Sequence, residues 1–370
     1  MMIKIFMLCL MVSISCVGAS GQFPNDISFC IADVKYDGKD LKILEFGDCA
    51  ESMFTGYNAL YGNGAIWASF WKYLAAFKAP LWLIGGDKKF IGLPSFKKMG
   101  GKRVSTMNAL SLAIDRDRDQ KKYDSSNPAG IVFIKTAYSQ PSMKLLKRKF
   151  PSLVFINKKV RHHVINKYRT DILFKQDNDL KKFRPGCKVC KKKYTPGLAK
   201  SIINELKGNT YVIKPTHGSC GKGVIFVKKN ELDEMLQVLL GDRSNLRKMR
   251  NVSSRMFDFW LTDGASHFLV EEYAPSKILT IAGKPYDPTM RLIFAMNSLG
   301  KKIEIDILGA YWKLPGKPLT SNNSLTEKHR SDIHSSAPVN SVKVTPDDLE
   351  HVSQIFKPMM KKLYQSMLKP

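Results

Sequence analysis

The chain has 370 residues, 44% of them hydrophobic, and its 59 Lys and Arg against 32 Asp and Glu give a formal charge of +27. That apolar share is ordinary for folded proteins and excludes a wholly disordered chain, while the length suits two or three domains. The charge calls for anionic partners, yet no zinc-finger spacing or aromatic–basic RNA signature accompanies it, so nucleic acid is not expected.

Residues 1–19 read as a signal peptide: Lys4, an apolar run from Ile5 to Val17, then small residues Gly18 and Ala19. The run is short for a membrane span, and no later stretch is long and apolar enough to be one. Five cysteines follow the leader. Cys30 and Cys49 can pair in an oxidising compartment. Cys187-x-x-Cys190 offers a local disulfide or, with His162 and His163, half a zinc site.

Strands are expected at Leu41–Phe46, Pro80–Gly85, Gly130–Ile134 and Leu153–Ile156, with helices such as Ala65–Phe77 and Ser142–Phe150 between them. Short buried strands alternating with helices predict an open α/β domain over about 22–160. A helix is expected from Asn166, a basic loop from Pro185, and a short helix over Leu198–Leu206.

Tyr211 to Val227, YVIKPTHGSCGKGVIFV, is the most informative stretch: strand, glycine turn, strand. Glycines let backbone N–H groups close on a ligand, and successive N–H groups in such a turn make an anion-binding concavity. Lys214 adds a point charge. The turn is neither G-x-x-x-x-G-K-[ST], since Gly223 follows Lys222, nor G-x-G-x-x-G opening a helix. Beyond it come a helix over Asn230–Leu240, a strand at Phe268–Tyr273, a crossover at Ile281–Asp287, and a hairpin of Met290–Met296 and Lys301–Tyr311. Residues 316–339 are polar. Thr345 is placed to cap a closing helix from Pro346 to Leu368, which Pro358 should kink or split.

A strand–glycine loop–strand flap with a lysine on its first strand resembles the ATP-grasp superfamily. The later succession Val270-Glu271-Glu272-Tyr273, Tyr286-Asp287 and Arg291 is similar to its tubulin–tyrosine ligase-like and glutamate-ligase branches. The resemblance implies an α/β (α+β) architecture: a preceding α/β domain over 22–160, then an ATP-grasp fold over 161–370. The latter divides into a flap subdomain at about 195–265 and a C-terminal subdomain at about 266–370. It further implies Lys167 and Lys214 as nucleotide lysines, with Gly218, Ser219, Gly221, Lys222 and Gly223 over the phosphates of ATP. Glu271, Glu272 and Tyr273 would form a hinge reading adenine, and Arg291 and Lys313 would serve catalysis on the acceptor side.

Mg²⁺ needs carboxylates. Glu304 and Asp306 share one strand face at i, i+2, and Asp287 is the third candidate. The family's late Glu-x-Asn metal strand has no counterpart after the last helix, so these acids are expected to substitute, or the chain is a weakened or non-catalytic relative. The implied reaction is ATP-dependent amide formation through an acyl-phosphate on a small-molecule or protein carboxylate. Transfer of phosphate to a hydroxyl, and a non-catalytic basic binding module, are the alternatives. An ATP user with a leader belongs in a secretory lumen, is secreted, or is exported by a bacterium to act in a host.

Overall fold

Three of the short apolar runs, with Lys102–Val104 beside them, build one parallel sheet. The computed structural model describes residues 23–85, 90–118, 128–135, 140–217, 221–241, 244, 246, 254–330 and 340–369. The expected signal peptide lies outside these. Contacts divide the chain into one unit built on Ala68–Phe155 and another on Asp26–Trp67, Ile156–Asn297 and Ile303–Pro370.

In the first unit, strands run in the order Lys102–Val104, Leu81–Ile84, Gly130–Ile134, Leu153–Phe155, every neighbouring pair parallel. Parallel sheets are covered on both faces, which is why these strands lack alternation. Trp82, Ile84, Val132 and Phe155 pack under helices Met107–Arg118 and Gln140–Lys149 through Leu110, Ile114, Met143 and Leu146. On the other side Phe133 meets Phe70 and Trp71, with ring centroids 6.1 and 5.6 Å away.

The second unit holds the other two large sheets. One has five strands in the order Ser341–Lys343, Lys302–Lys313, Thr289–Leu299, Asp26–Tyr36, Leu41–Asp48. Asp26–Tyr36 was not expected as a strand. Sequence grouped 22–67 with the α/β domain, but this strand pairs with Leu41–Asp48 and lies beside Thr289–Leu299, joining the second unit. One face of the sheet is apolar: Ala32, Val34, Leu292, Phe294, Ile305 and Trp312 pack under the closing helix Pro346–Leu368 through Val352, Phe356, Met360 and Leu363. That helix starts on the expected Thr345 cap, whose hydroxyl accepts from the Asp348 N–H, and its assignment continues unbroken through Pro358.

The other large sheet is antiparallel, in the order Cys187–Lys191, His267–Glu272, Thr210–Pro215, Ile225–Lys228. Its apolar face, with Tyr211, Ile213, Val227, Phe268 and Val270, lies under helices Leu198–Glu205, Leu232–Leu240 and Ser254–Thr262. The α/β architecture expected from sequence is therefore present, as a parallel sheet followed by two sheet-and-helix layers. The basic loop at 187–191 is a strand instead. Strand residues three apart face opposite sides, so Cys187 and Cys190 cannot close a local disulfide. Cys190 joins the apolar core, and Cys30, Cys49, Cys187 and Cys190 are all free thiols. Ile281–Asp287, read as a crossover, forms a two-stranded hairpin of Leu279–Ile281 and Lys284–Tyr286. No helix among the described residues is long and apolar enough to cross a membrane.

Candidate active site

Each of the two large sheets of the second unit has a second face, and on both it carries charge. In Asp26–Tyr36 the apolar residues Ala32 and Val34 point one way, so Asp33 and Lys35 point the other. Asp33 is the register partner of Glu45, and the register slips just beyond it, so that Val34 pairs with Ile43 and Leu44 is the extra residue of a bulge. Bulges re-aim side chains, and here Leu44 and Glu45 both reach one cavity. The four-stranded sheet supplies Val212, Lys214, Phe226 and Glu271 to the same cavity. The chain leaving that sheet adds Glu272, Tyr273 and Ala274, the long hairpin adds Thr289 and Lys313, and His329 and Arg330 complete this part of the lining.

Three buried ion clusters hold this wall. Glu271 is the centre of the first: its Oε2 accepts from Lys214 Nζ at 2.5 Å and its Oε1 from Arg184 Nη2 at 2.7 Å. Burial pushes the Glu271 carboxyl up, but Lys214 and Arg184 outweigh it and hold it below its usual range. Arg184 Nη1 also donates to the carbonyls of Ile43 and Leu44, both at 2.7 Å, tying the bulge to the cluster.

Asp33 is the centre of the second. Arg291 grips it in a fork, Nε to Oδ1 at 2.7 Å and Nη2 to Oδ2 at 2.8 Å, and Lys313 Nζ adds 2.5 Å to Oδ2. Such planar bidentate pairs are the strong form of charge-assisted hydrogen bond. Burial opposes ionisation of Asp33, yet the two cations keep it well below the usual carboxylate range. Burial, with Arg291 beside it, lowers the Lys313 amine despite Asp33.

Asp287 is the third centre. Its Oδ2 accepts from Lys35 Nζ at 2.6 Å and Tyr273 OH at 2.9 Å and meets His329 Nδ1 at 2.8 Å, while Oδ1 accepts from the Ser276 N–H at 3.0 Å. Here too burial raises and the partners Lys35 and His329 prevail, so Asp287 stays ionised. A fourth, looser pair joins Lys167 Nζ to Glu45 Oε2 at 3.3 Å. Asn166 sets it up by capping helix Lys167–Lys175, its Oδ1 accepting from the Arg169 N–H.

The expected flap is present as Thr210–Pro215 and Ile225–Lys228, with Gly221 lining the cavity. Gly223 has φ +71°, and a Cβ there would come within 3.2 Å of Phe259, Pro215 and Trp260, so glycine is required. Gly218 and Ser219 lie outside the described residues. Lys222 is exposed.

Of the residues expected from sequence, Lys214, Gly221, Glu271, Glu272, Tyr273 and Lys313 line the cavity. Lys167 and Arg291 reach its wall through Glu45 and Asp33. Glu304 and Asp306 are not brought to it. Glu304 accepts from Asn297 at 3.3 Å, near the hairpin's turn, and burial raises the Asp306 carboxyl while Lys357 opposes the rise. Asp287 is engaged on both oxygens. Two of the acids that face the cavity, Asp33 and Glu45, were missed, as were Lys35, Arg184 and His329. The signal was the pair of opposite charges two residues apart inside the apolar run ISFCIADVKY.

No protein-family profile and no curated protein matches the chain. Among solved structures it is similar to a protein described as a gamma-glutamylcysteine synthetase from Methylobacillus flagellatus KT, at 9% identity and a TM-score of 0.44, over 92% of this chain and 89% of that one. It is also similar to D-alanyl-alanine synthetase A from Vibrio cholerae, at 12% identity and 0.33, over 78% and 81%. The biotin carboxylase domain of Hydrogenobacter thermophilus 2-oxoglutarate carboxylase, solved with MgADP, ADP and bicarbonate, matches at 13% and 0.36, over 82% and 56%. With TM-scores below 0.5, such likenesses decide nothing about activity; the side chains must.

Counted together, the clusters set six cations, Lys35, Lys167, Arg184, Lys214, Arg291 and Lys313, against four carboxylates, Asp33, Glu45, Glu271 and Asp287. The wall thus carries an excess of two positive charges, in a setting where charge interactions are far stronger than in water.

Proposed function

We propose that the cavity binds Mg·ATP and that the chain uses it to activate a carboxylate as an acyl-phosphate for attack by an amine. The observation that carries this is the buried excess of two positive charges beside an apolar lobe of Leu44, Val212, Val224 and Phe226. A polyphosphate needs the first and a nucleobase the second. Phosphoryl transfer asks the protein for positioning and neutralised charge rather than a covalent nucleophile.

Lys214 would contact the phosphates and the chain at Glu271–Tyr273 would meet the base, as the ATP-grasp resemblance implies. Asp33 is engaged on both oxygens by Arg291 and Lys313, which leaves Glu45, held loosely by Lys167 at 3.3 Å, as the wall carboxylate that would take a hard divalent cation. When bound there, Mg²⁺ would neutralise charge developing on the γ-phosphate. The acceptor carboxylate, a small molecule or a protein side chain, belongs on the Arg291 and Lys313 side. Action in a secretory lumen, or after export, remains part of this reading.

Calorimetry with ATP, with and without Mg²⁺, is the test. Saturable binding strengthened by Mg²⁺ is the expected result, followed by ADP release and an amide product when carboxylate and amine pools are supplied. Absence of any nucleotide affinity in the folded protein would sink the proposal.

A further inference from the structure

His329 ends the short helix Leu325–His329, whose first turn is held in two ways. Ser324 and Glu327 form a capping box, with the Ser324 N–H donating to Glu327 at 3.1 Å and the Glu327 N–H to Ser324 Oγ at 3.4 Å. Thr326 Oγ1 accepts from the Phe226 N–H at 3.0 Å, which pins the helix to the flap strand. The His329 ring then lies against Phe226 and Tyr273, with centroids 5.6 and 4.8 Å away. Its Nδ1 is taken by the ionised Asp287 and so carries the hydrogen of that bond. The ring lines the cavity, and Nε2 is the nitrogen left for a ligand.

We propose that His329 Nε2 reads a ribose hydroxyl of the bound nucleotide, with Asp287 as its positioning residue; this rests on the nucleotide reading above. Two observations place the contact at the sugar. His329 touches the aromatic lobe and the Tyr273 segment, not the Asp33–Lys313 cluster, so it faces the nucleoside part of a ligand rather than its phosphates. A hydroxyl also both donates and accepts. It can therefore satisfy Nε2 whether the imidazole is neutral or protonated, whereas a ring amine only donates and a carbonyl only accepts. Lys35, Tyr273 and the Ser276 N–H hold Asp287 from the other directions, so the histidine cannot turn without breaking a four-donor arrangement.

The probes are ATP, 2′-deoxy-ATP and 3′-deoxy-ATP, each titrated with Mg²⁺ into the full chain by calorimetry. The wild-type protein should bind ATP between about threefold and tenfold tighter than one of the deoxy forms, the size of one net hydrogen bond. His329→Phe keeps a ring between Phe226 and Tyr273 and removes the nitrogen. It should abolish the difference in affinity between ATP and that deoxy form. Equal binding of all three nucleotides by the wild type overturns the assignment without recourse to any variant, and so does a preference that survives in His329→Phe. A protein that binds none of the three fails at the nucleotide reading instead.

Discussion

The parallel sheet of Ala68–Phe155 and the five-stranded sheet of the second unit are buried in different ways. The first is apolar on both faces: Trp82 and Val132 on one, Phe133 with Phe70 and Trp71 on the other. The second is apolar on the face under Pro346–Leu368 and charged on the face that carries Asp33, Lys35, Arg291 and Lys313, yet those four are 5% exposed or less. Folding alone has no use for the second arrangement. Buried ion clusters often contribute nothing over well-packed apolar residues, while loss of one partner is strongly destabilising.

The contrast can be broken from either side. The largest effect is expected on the apolar face: Phe356→Ala removes a fully buried ring stacked edge-on to Phe294 at 5.0 Å and should destabilise the second unit by about 3–5 kcal/mol in urea titration. On the charged face, Asp33→Asn leaves Arg291 and Lys313 without their anion and should lower stability by about 3 kcal/mol at neutral pH. If the asparagine protein melts like the wild type, the cluster is not the buried constraint described here.

Acid titration sharpens the same point. Asp33, Glu271 and Asp287 all have folded pKa values below their unfolded ones. Their stabilisation is fully present above the unfolded value of about 4 and is lost as pH falls through the depressed folded values. Urea midpoints should therefore drop steeply below about pH 4 in the wild type and less steeply in Asp33→Asn.

Function and stability should separate at Lys214. Glu271 keeps Arg184 when Lys214→Met is made, so the fold should survive, while loss of a charged phosphate contact worth about 1.5–3 kcal/mol weakens Mg·ATP roughly tenfold to a hundredfold. Unchanged ATP affinity would make the flap an ordinary hairpin. The smallest effect is expected at Ser324→Ala, which removes the cap of the His329 helix and should cost about 1 kcal/mol, read as faster amide exchange over Leu325–His329.

The glycine turn, the flap strands and Glu271–Tyr273 were legible in sequence because their signals are local: glycines at fixed offsets and apolar runs of strand length. The closing helix was legible for the same reason, from Thr345 and Pro346 to Leu368. What sequence could not show was which distant strand would complete the five-stranded sheet. Asp33 becomes a site residue only because Asp26–Tyr36 lies beside Thr289–Leu299, and Glu45 only because a bulge at Leu44 turns it inward. Glu304 and Asp306 looked equally good on local grounds, since their i, i+2 spacing fixes a shared face but not where along the strand the cavity lies.

The Asp33 cluster has a consequence for synthesis. Its partners Arg291 and Lys313 lie 258 and 280 residues downstream. At translation rates of about 5–20 residues per second, the strand bearing Asp33 waits roughly 15–60 s for its cations to be made. During that interval the nascent chain can close the hairpin of Asp26–Tyr36 and Leu41–Asp48 through local pairing, while Asp33 and Glu45 stand side by side as unneutralised anions. Glu45 gains Lys167 first, and Asp33 waits for Arg291 and Lys313. Strands made late in synthesis thus set the charge balance of one made first.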